Sequence, residues 1–153
     1  MKDTTFQKIM SRLSASEQDI QILLENAEKQ SFTHGEIIVH EGETNSNLYI
    51  ITHGVWRAYT FKDGTEVTLW FAIEGEIAFS TWGYAANTPS RLTLEAVTDG
   101  EAYSLGKNKL EQLYQSSVQL ANLGRKILEK FMLEVEVSWL DSYNRNAIER
   151  YVM

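Results

Sequence analysis

The sequence predicts a mainly β protein with flanking helices, and three observations carry that expectation. Five glycines at positions 35, 42, 54, 64 and 75 cut the stretch from Gly35 to Gly75 into short segments rich in Ile, Val, Leu, Tyr, Trp and Phe. Each segment is about strand length, and each glycine stands where the chain has to turn. At least eight such segments, spaced about 10 residues apart, argue for a sandwich, barrel or roll. After Gly106 the pattern changes to a long helical period, so the β structure is followed by helix.

Taken in order, residues 4–13 carry Phe6, Ile9, Met10 and Leu13 at helical spacing. Ser14 and Glu17 form a capping-box pattern ahead of a second helix whose face is Ile20, Leu23, Leu24 and Ala27. From Ser31 the period shortens, with Ile37, Ile38 and Val39 between Gly35 and Gly42. A polar turn, Thr44-Asn45-Ser46-Asn47, then leads into Leu48 to Thr52. Val55 to Phe61 and Thr65 to Phe71 flank Asp63-Gly64, the dipeptide suited to a type I′ hairpin. Alternation puts Val67, Leu69 and Phe71 on one apolar face, with Trp70 on a mixed face. Gly75 to Ala86 reads as a short helical turn and a loop. Strands resume over Leu92 to Val97 and Ala102 to Leu105, and Asn108 to Tyr114 is a short helix.

A long helix is predicted from Ser117 to about Tyr143, with a break at Asn144 to Asn146 and a new helix starting at Ala147. It carries two apolar stripes: Leu128, Phe131, Met132, Val135 and Trp139 on one side, and Leu133, Val137 and Leu140 on the other. One stripe packs on the β structure, and the second calls for a partner, most simply the same helix of another copy. The spacing of Leu128, Phe131 and Val135 continues to Ser138 and Ser142 as a 3–4 heptad. These three apolar residues are the candidate dimer interface.

Composition excludes several classes of function. A net charge of −7 without a clustered basic patch disfavours nucleic-acid binding by this chain. The absence of cysteine removes disulfides, thiolate metal sites and iron–sulfur clusters. His34, His40 and His53 form no metal-ligand pair, so no metal site is expected. No nucleophile elbow, P-loop or Rossmann fingerprint is present, and the protein is read as a non-enzyme. Neither a membrane-spanning run nor a signal core is seen, which makes cytoplasmic localisation the default.

The residues GEIIVHEGE at 35–43, LYIITHGVWRAY at 48–59, KDGTEVTLWFAIEGE at 62–76 and the helix from Ser117 together resemble the sensor domain of Crp/Fnr transcription regulators. The resemblance covers essentially the whole chain. It implies an eight-stranded antiparallel, jelly-roll-like β-roll (a double-stranded β-helix) of the cyclic-nucleotide-binding type over residues 1–116. It further implies a dimerisation helix over 117–143, and over 144–153 the first turns of a helix-turn-helix segment whose remainder would lie beyond Met153. DNA binding would belong to that segment. Family members that bind cyclic nucleotide carry a Gly-Glu step and an Arg-Ser pair in a phosphate cassette. Here the matching positions read Ala78-Phe79-Ser80 and Ser90-Arg91, which disfavours cyclic nucleotide as the ligand. Ser80, Trp82, Tyr84 and Arg91, with Glu134 on the long helix, are the candidate effector pocket. The aromatic residues either contact an unknown small-molecule effector or fill the nucleotide space. The alternative function is a stand-alone β-roll interaction module that dimerises and binds no small molecule.

Overall fold

The structure, a computed structural model, describes residues 4–152 and side chains as far as residue 141. Two helices open the chain, α1 (Thr4–Leu13) and α2 (Glu17–Glu25). Eight strands follow: β1 (Glu28–Phe32), β2 (Ile37–Val39), β3 (Leu48–His53), β4 (Trp56–Lys62), β5 (Thr65–Ala72), β6 (Ile77–Ala78), β7 (Thr93–Ala96) and β8 (Gly100–Leu105). Helix α3 (Thr81–Ala86) sits between β6 and β7, and α4 (Lys107–Ser116) and α5 (Val118–Val152) complete the described chain.

The strands form two four-stranded antiparallel sheets, ordered β1-β8-β3-β6 and β2-β7-β4-β5. Trp56 of the second sheet joins them. Its ring meets Phe32 of β1 at 5.1 Å and Tyr49 of β3 at 5.2 Å, both edge-on, the arrangement aromatic quadrupoles favour. This is the expected β-roll, and all five spacing glycines have positive φ. Gly64 shows why: Lys62 pairs with Thr65, so Asp63 (φ 54°) and Gly64 (φ 79°) form a two-residue turn with both central residues left-handed.

Four local expectations are corrected. The cap of α2 is Ser16, whose Oγ accepts the Asp19 amide at 3.2 Å, while Ser14 lies in the linker at φ 52°. Helix α2 ends at Glu25, and Ala27 immediately precedes β1 rather than sitting on the helix. On β5 the buried residues are Trp70 and Ala72, while Phe71 is 60% exposed. The register shift between Ala58 and Tyr59 explains this. Ala58 pairs with Trp70 but Tyr59 pairs with Thr68, leaving Leu69 as an extra residue in a bulge. Finally, α5 continues through Asn144–Asn146 as far as Val152, without the expected break.

Helix α5 lies against the roll through Leu123, Ile127 and Phe131, all buried in the core. Polar ties fix it to the N-terminal helices: Gln119 donates to Asp19 at 3.1 Å, and the Lys130 ammonium donates to the Arg12 carbonyl. Helix α1 in turn holds the β5–β6 turn through the Lys8–Glu74 ion pair at 2.8 Å. The long helix is thereby seated on both the roll and its N-terminal brace.

Candidate effector pocket

A cavity of about 660 Å³ opens between β5, α3 and α5. Leu69 and Trp70 enter it from β5, Phe79 from the residue after β6, and Trp82, Tyr84 and Ala85 from α3. From α5 come Leu128, Phe131, Met132, Val135, Glu136 and Trp139. Apolar side chains make nearly the whole wall, and the volume lies in the range of small-molecule sites.

Helix α3 is held there by close backbone contact. A Cβ at Gly83 would stand 1.9 Å from the Asn45 carbonyl oxygen, so only glycine allows α3 this near to the β2–β3 loop. Asn87 ends the helix in the left-handed region (φ 53°), and its amide donates to the Gly83 carbonyl. Beyond Pro89, Ser90 is clamped to the loop after β2: the Gly42 amide donates to the Ser90 carbonyl at 2.7 Å, and the Ser90 amide donates to the Glu43 carbonyl at 2.9 Å.

The aromatic wall is continuous. Phe79 stacks on Phe131 at 4.2 Å and meets Tyr84 edge-on at 5.1 Å, and Trp70 meets Phe131 at 5.5 Å. Lys107, the first residue of α4, donates to the Tyr84 carbonyl at 2.6 Å with its ammonium 4.2 Å from the centre of the Tyr84 ring. Burial pushes the Tyr84 phenol well above its usual range, and the neighbouring Tyr114 raises it further. Burial raises Tyr114 as well. Tyr114 in turn lies against Gly124 of α5, where a Cβ would fall 2.6 Å from its ring. The pocket wall therefore touches α5 twice, directly and through this tyrosine pair.

Two of the five expected pocket residues, Trp82 and Tyr84, line the cavity. Ser80 precedes α3 but lies outside the cavity wall; it is buried and its Oγ has no hydrogen-bond partner. Arg91 is exposed and also outside the wall. Glu134 faces α1 and the β5–β6 turn, 3.8 Å from Lys130. The expected dimer residues Leu128, Phe131 and Val135 lie on the side of α5 that faces the chain's own roll. Phe131 is 8% exposed in the core, Leu128 and Val135 pack against that core, and all three face the chain's own cavity. Leu69, Phe79 and Lys107 were missed. Lys107 has no sequence signal, because only the turn from β8 into α4 carries it beside Tyr84.

A β-roll with a helix lying over a cavity beside α3 is the architecture of a cyclic-nucleotide-binding type of domain. Residues 29–117, more than half of the chain, match the family model of the cyclic nucleotide-binding domain, and the chain belongs to that family. This is the cyclic-nucleotide-binding type of domain that the glycine framework leads one to expect. Among solved structures, the chain is similar to the catabolite activator protein of Thermus thermophilus, with TM-score 0.70 and 20% identity over 90% of this chain and 63% of that one. A cyclic nucleotide-binding domain from Methylobacillus flagellatus gives TM-score 0.75 and 16% identity, covering 94% and 83%. The c-di-GMP-responsive global regulator CLP of Xanthomonas campestris gives TM-score 0.71 and 17% identity, covering 86% and 63%. At these identities the likeness is one of fold, and the chain spans less than two thirds of the Thermus and Xanthomonas proteins. No curated protein matches the sequence significantly. Among the described residues no three His, Asp or Glu side chains gather as a metal site, and no helix is long and apolar enough to cross a membrane.

Proposed function

We propose that the chain is the effector-sensing and dimerising part of a Crp/Fnr-type transcription regulator, with DNA contact made by a domain following α5. The observation that carries this reading is that α5 is itself a wall of the cavity. A molecule bound there touches the roll, α3 and α5 together, so its binding energy acts on the position of the long helix. The other face of α5 exposes Leu133 (65%), Val137 (49%) and Leu140 (50%), an apolar stripe suited to a second copy. Cyclic nucleotide fits the cavity poorly. Its wall holds one lysine, two glutamates and no arginine, whereas a cyclic phosphate calls for charge-assisted donors.

The test is a thermal-shift screen of the protein against cyclic AMP, cyclic GMP and a metabolite panel. An effector raises the melting temperature by mass action. The gain is expected to disappear in Ala85→Trp, which fills the cavity from an exposed position on α3. Stabilisation by a compound that persists unchanged in Ala85→Trp would remove the cavity from the sensing role.

A further inference from the structure

The wall of the cavity constrains what can enter it. Six aromatic side chains, Trp70, Phe79, Trp82, Tyr84, Phe131 and Trp139, face it. Its charged lining residues are Lys107, Glu111 and Glu136, so carboxylates outnumber the ammonium. The Lys107 ammonium is already engaged by the Tyr84 carbonyl and ring and stands 4.0 Å from Glu111. An incoming anion would lose its water, meet a net negative lining and compete for a lysine that has its partners. An uncharged ring meets none of these penalties. It extends the edge-on and stacked contacts that Phe79, Tyr84, Trp70 and Phe131 already make with one another.

From this lining we propose that the cavity binds an uncharged, largely apolar ring compound, and that this chemistry, in place of a cyclic nucleotide, is what the domain senses. The proposal rests on the sensor reading above and names the ligand class for it. The volume of about 660 Å³ accommodates a two- or three-ring molecule. Such a ligand would reach Phe131, Met132 and Val135 on α5 while resting on Trp82 and Tyr84 of α3.

The experiment uses two probes with one ring skeleton: N-phenyl-1-naphthylamine, which is uncharged, and 1-anilinonaphthalene-8-sulfonate, which is anionic. Each is titrated into the full chain, with probe emission excited directly and by transfer from tryptophan. The uncharged probe is expected to saturate at one per chain, with an affinity at least about tenfold above the sulfonate's. Ala85→Trp, and independently Leu69→Trp, should each weaken it by about tenfold or more while the melting temperature holds. Tighter binding of the sulfonate, abolished in Lys107→Ala, would overturn the proposal in favour of an anion site. Uncharged-probe binding that both tryptophan variants leave intact would place it elsewhere and overturn the proposal. Binding that appears only once Leu133→Glu has separated two copies would mean that a second chain fills the groove, which also overturns it. Cyclic AMP binding more tightly than the uncharged probe and blocked by Ala85→Trp would sink the apolar class and leave the sensor reading standing. If neither probe enters the cavity, the ring-compound proposal falls; the sensor reading falls with it only if no cyclic nucleotide and no compound of the metabolite panel stabilises the protein.

Discussion

Glu134 is a carboxylate in a poor place. Its side chain remains 43% exposed, yet partial burial raises its pKa, and the negative Glu76 nearby raises it further against the opposing pull of Lys130 and Arg12. In the folded chain the proton is therefore held more tightly than in the unfolded chain. By linkage, the stabilisation is complete below the ordinary carboxylate value of 4.5 and is lost as pH rises through the raised folded-state value. Glu134→Gln removes that dependence. The melting temperature of the variant is expected to gain on that of the wild-type chain between about pH 4 and pH 7, other carboxylates cancelling in the comparison. A difference that stays constant across this interval would show that Glu134 ionises as it does in the unfolded chain. The same residue shows where the sequence could mislead. As a polar group beside Val135 on a helix expected to contact ligand, it was a reasonable pocket candidate. One residue is about 100° of helix, however, and Glu134 and Val135 fall on opposite sides of Phe131.

At the scale of elements, the close approach of α3 to the β2–β3 loop is made by a residue with no side chain. The Asn45 carbonyl, whose oxygen, carbon and backbone nitrogen all lie within 3 Å of a Cβ built at Gly83, belongs to a loop and has no flexible tip to give way. Gly83→Ala is expected to cost about 2 kcal/mol or more, as overpacking against rigid backbone does, despite the higher helix propensity of alanine. Denaturant melts would check it, and a cost under about 0.5 kcal/mol would mean that α3 lifts freely from the roll. Strands were readable because their signal is local. The turn glycines and the apolar runs between them lie within a few residues of each other, and Asp63-Gly64 encodes its hairpin in two positions. Gly83 was unreadable because its reason lies in Asn45, distant in sequence and adjacent only after folding. The bulge at Leu69 was hidden for a related reason. Strict alternation assigned Val67, Leu69 and Phe71 to the core, and only pairing with β4 shows that one residue is extra.

Over the whole molecule, α5 divides into three faces. Measured about the helix axis from Phe131 at about 100° per residue, Ile127 lies close to Phe131 on the buried side. Leu128, Met132, Val135, Glu136 and Trp139 fall within an arc of roughly 40° to 140° and line the cavity, and Leu133, Val137 and Leu140 occupy about 180° to 240°. The two apolar stripes were visible in the sequence, but a heptad count cannot tell which one the roll covers, since both repeat at helical spacing. Burial separates them only in part: Phe131 packs on Phe79 and is 8% exposed, whereas Met132 of the same stripe is 67% exposed, as open as Leu133 at 65%. Phe131 and Leu133 therefore respond oppositely to the same change. Phe131→Glu places a carboxylate among Trp70, Phe79 and Ile127, and should destabilise the fold by about 3 kcal/mol or more, seen as a large fall in melting temperature. Leu133→Glu places it in solvent on the isolated chain and should leave the melting temperature of the monomer nearly unchanged. In light scattering, Leu133→Glu is expected to run as a folded monomer under conditions where the wild-type chain is a dimer, because two like charges would face each other across the two-fold axis. The converse pattern, a folded Phe131→Glu monomer beside an intact Leu133→Glu dimer, would return the partner to the Leu128–Phe131–Val135 face. The helix would then have to leave its own roll before it could dimerise.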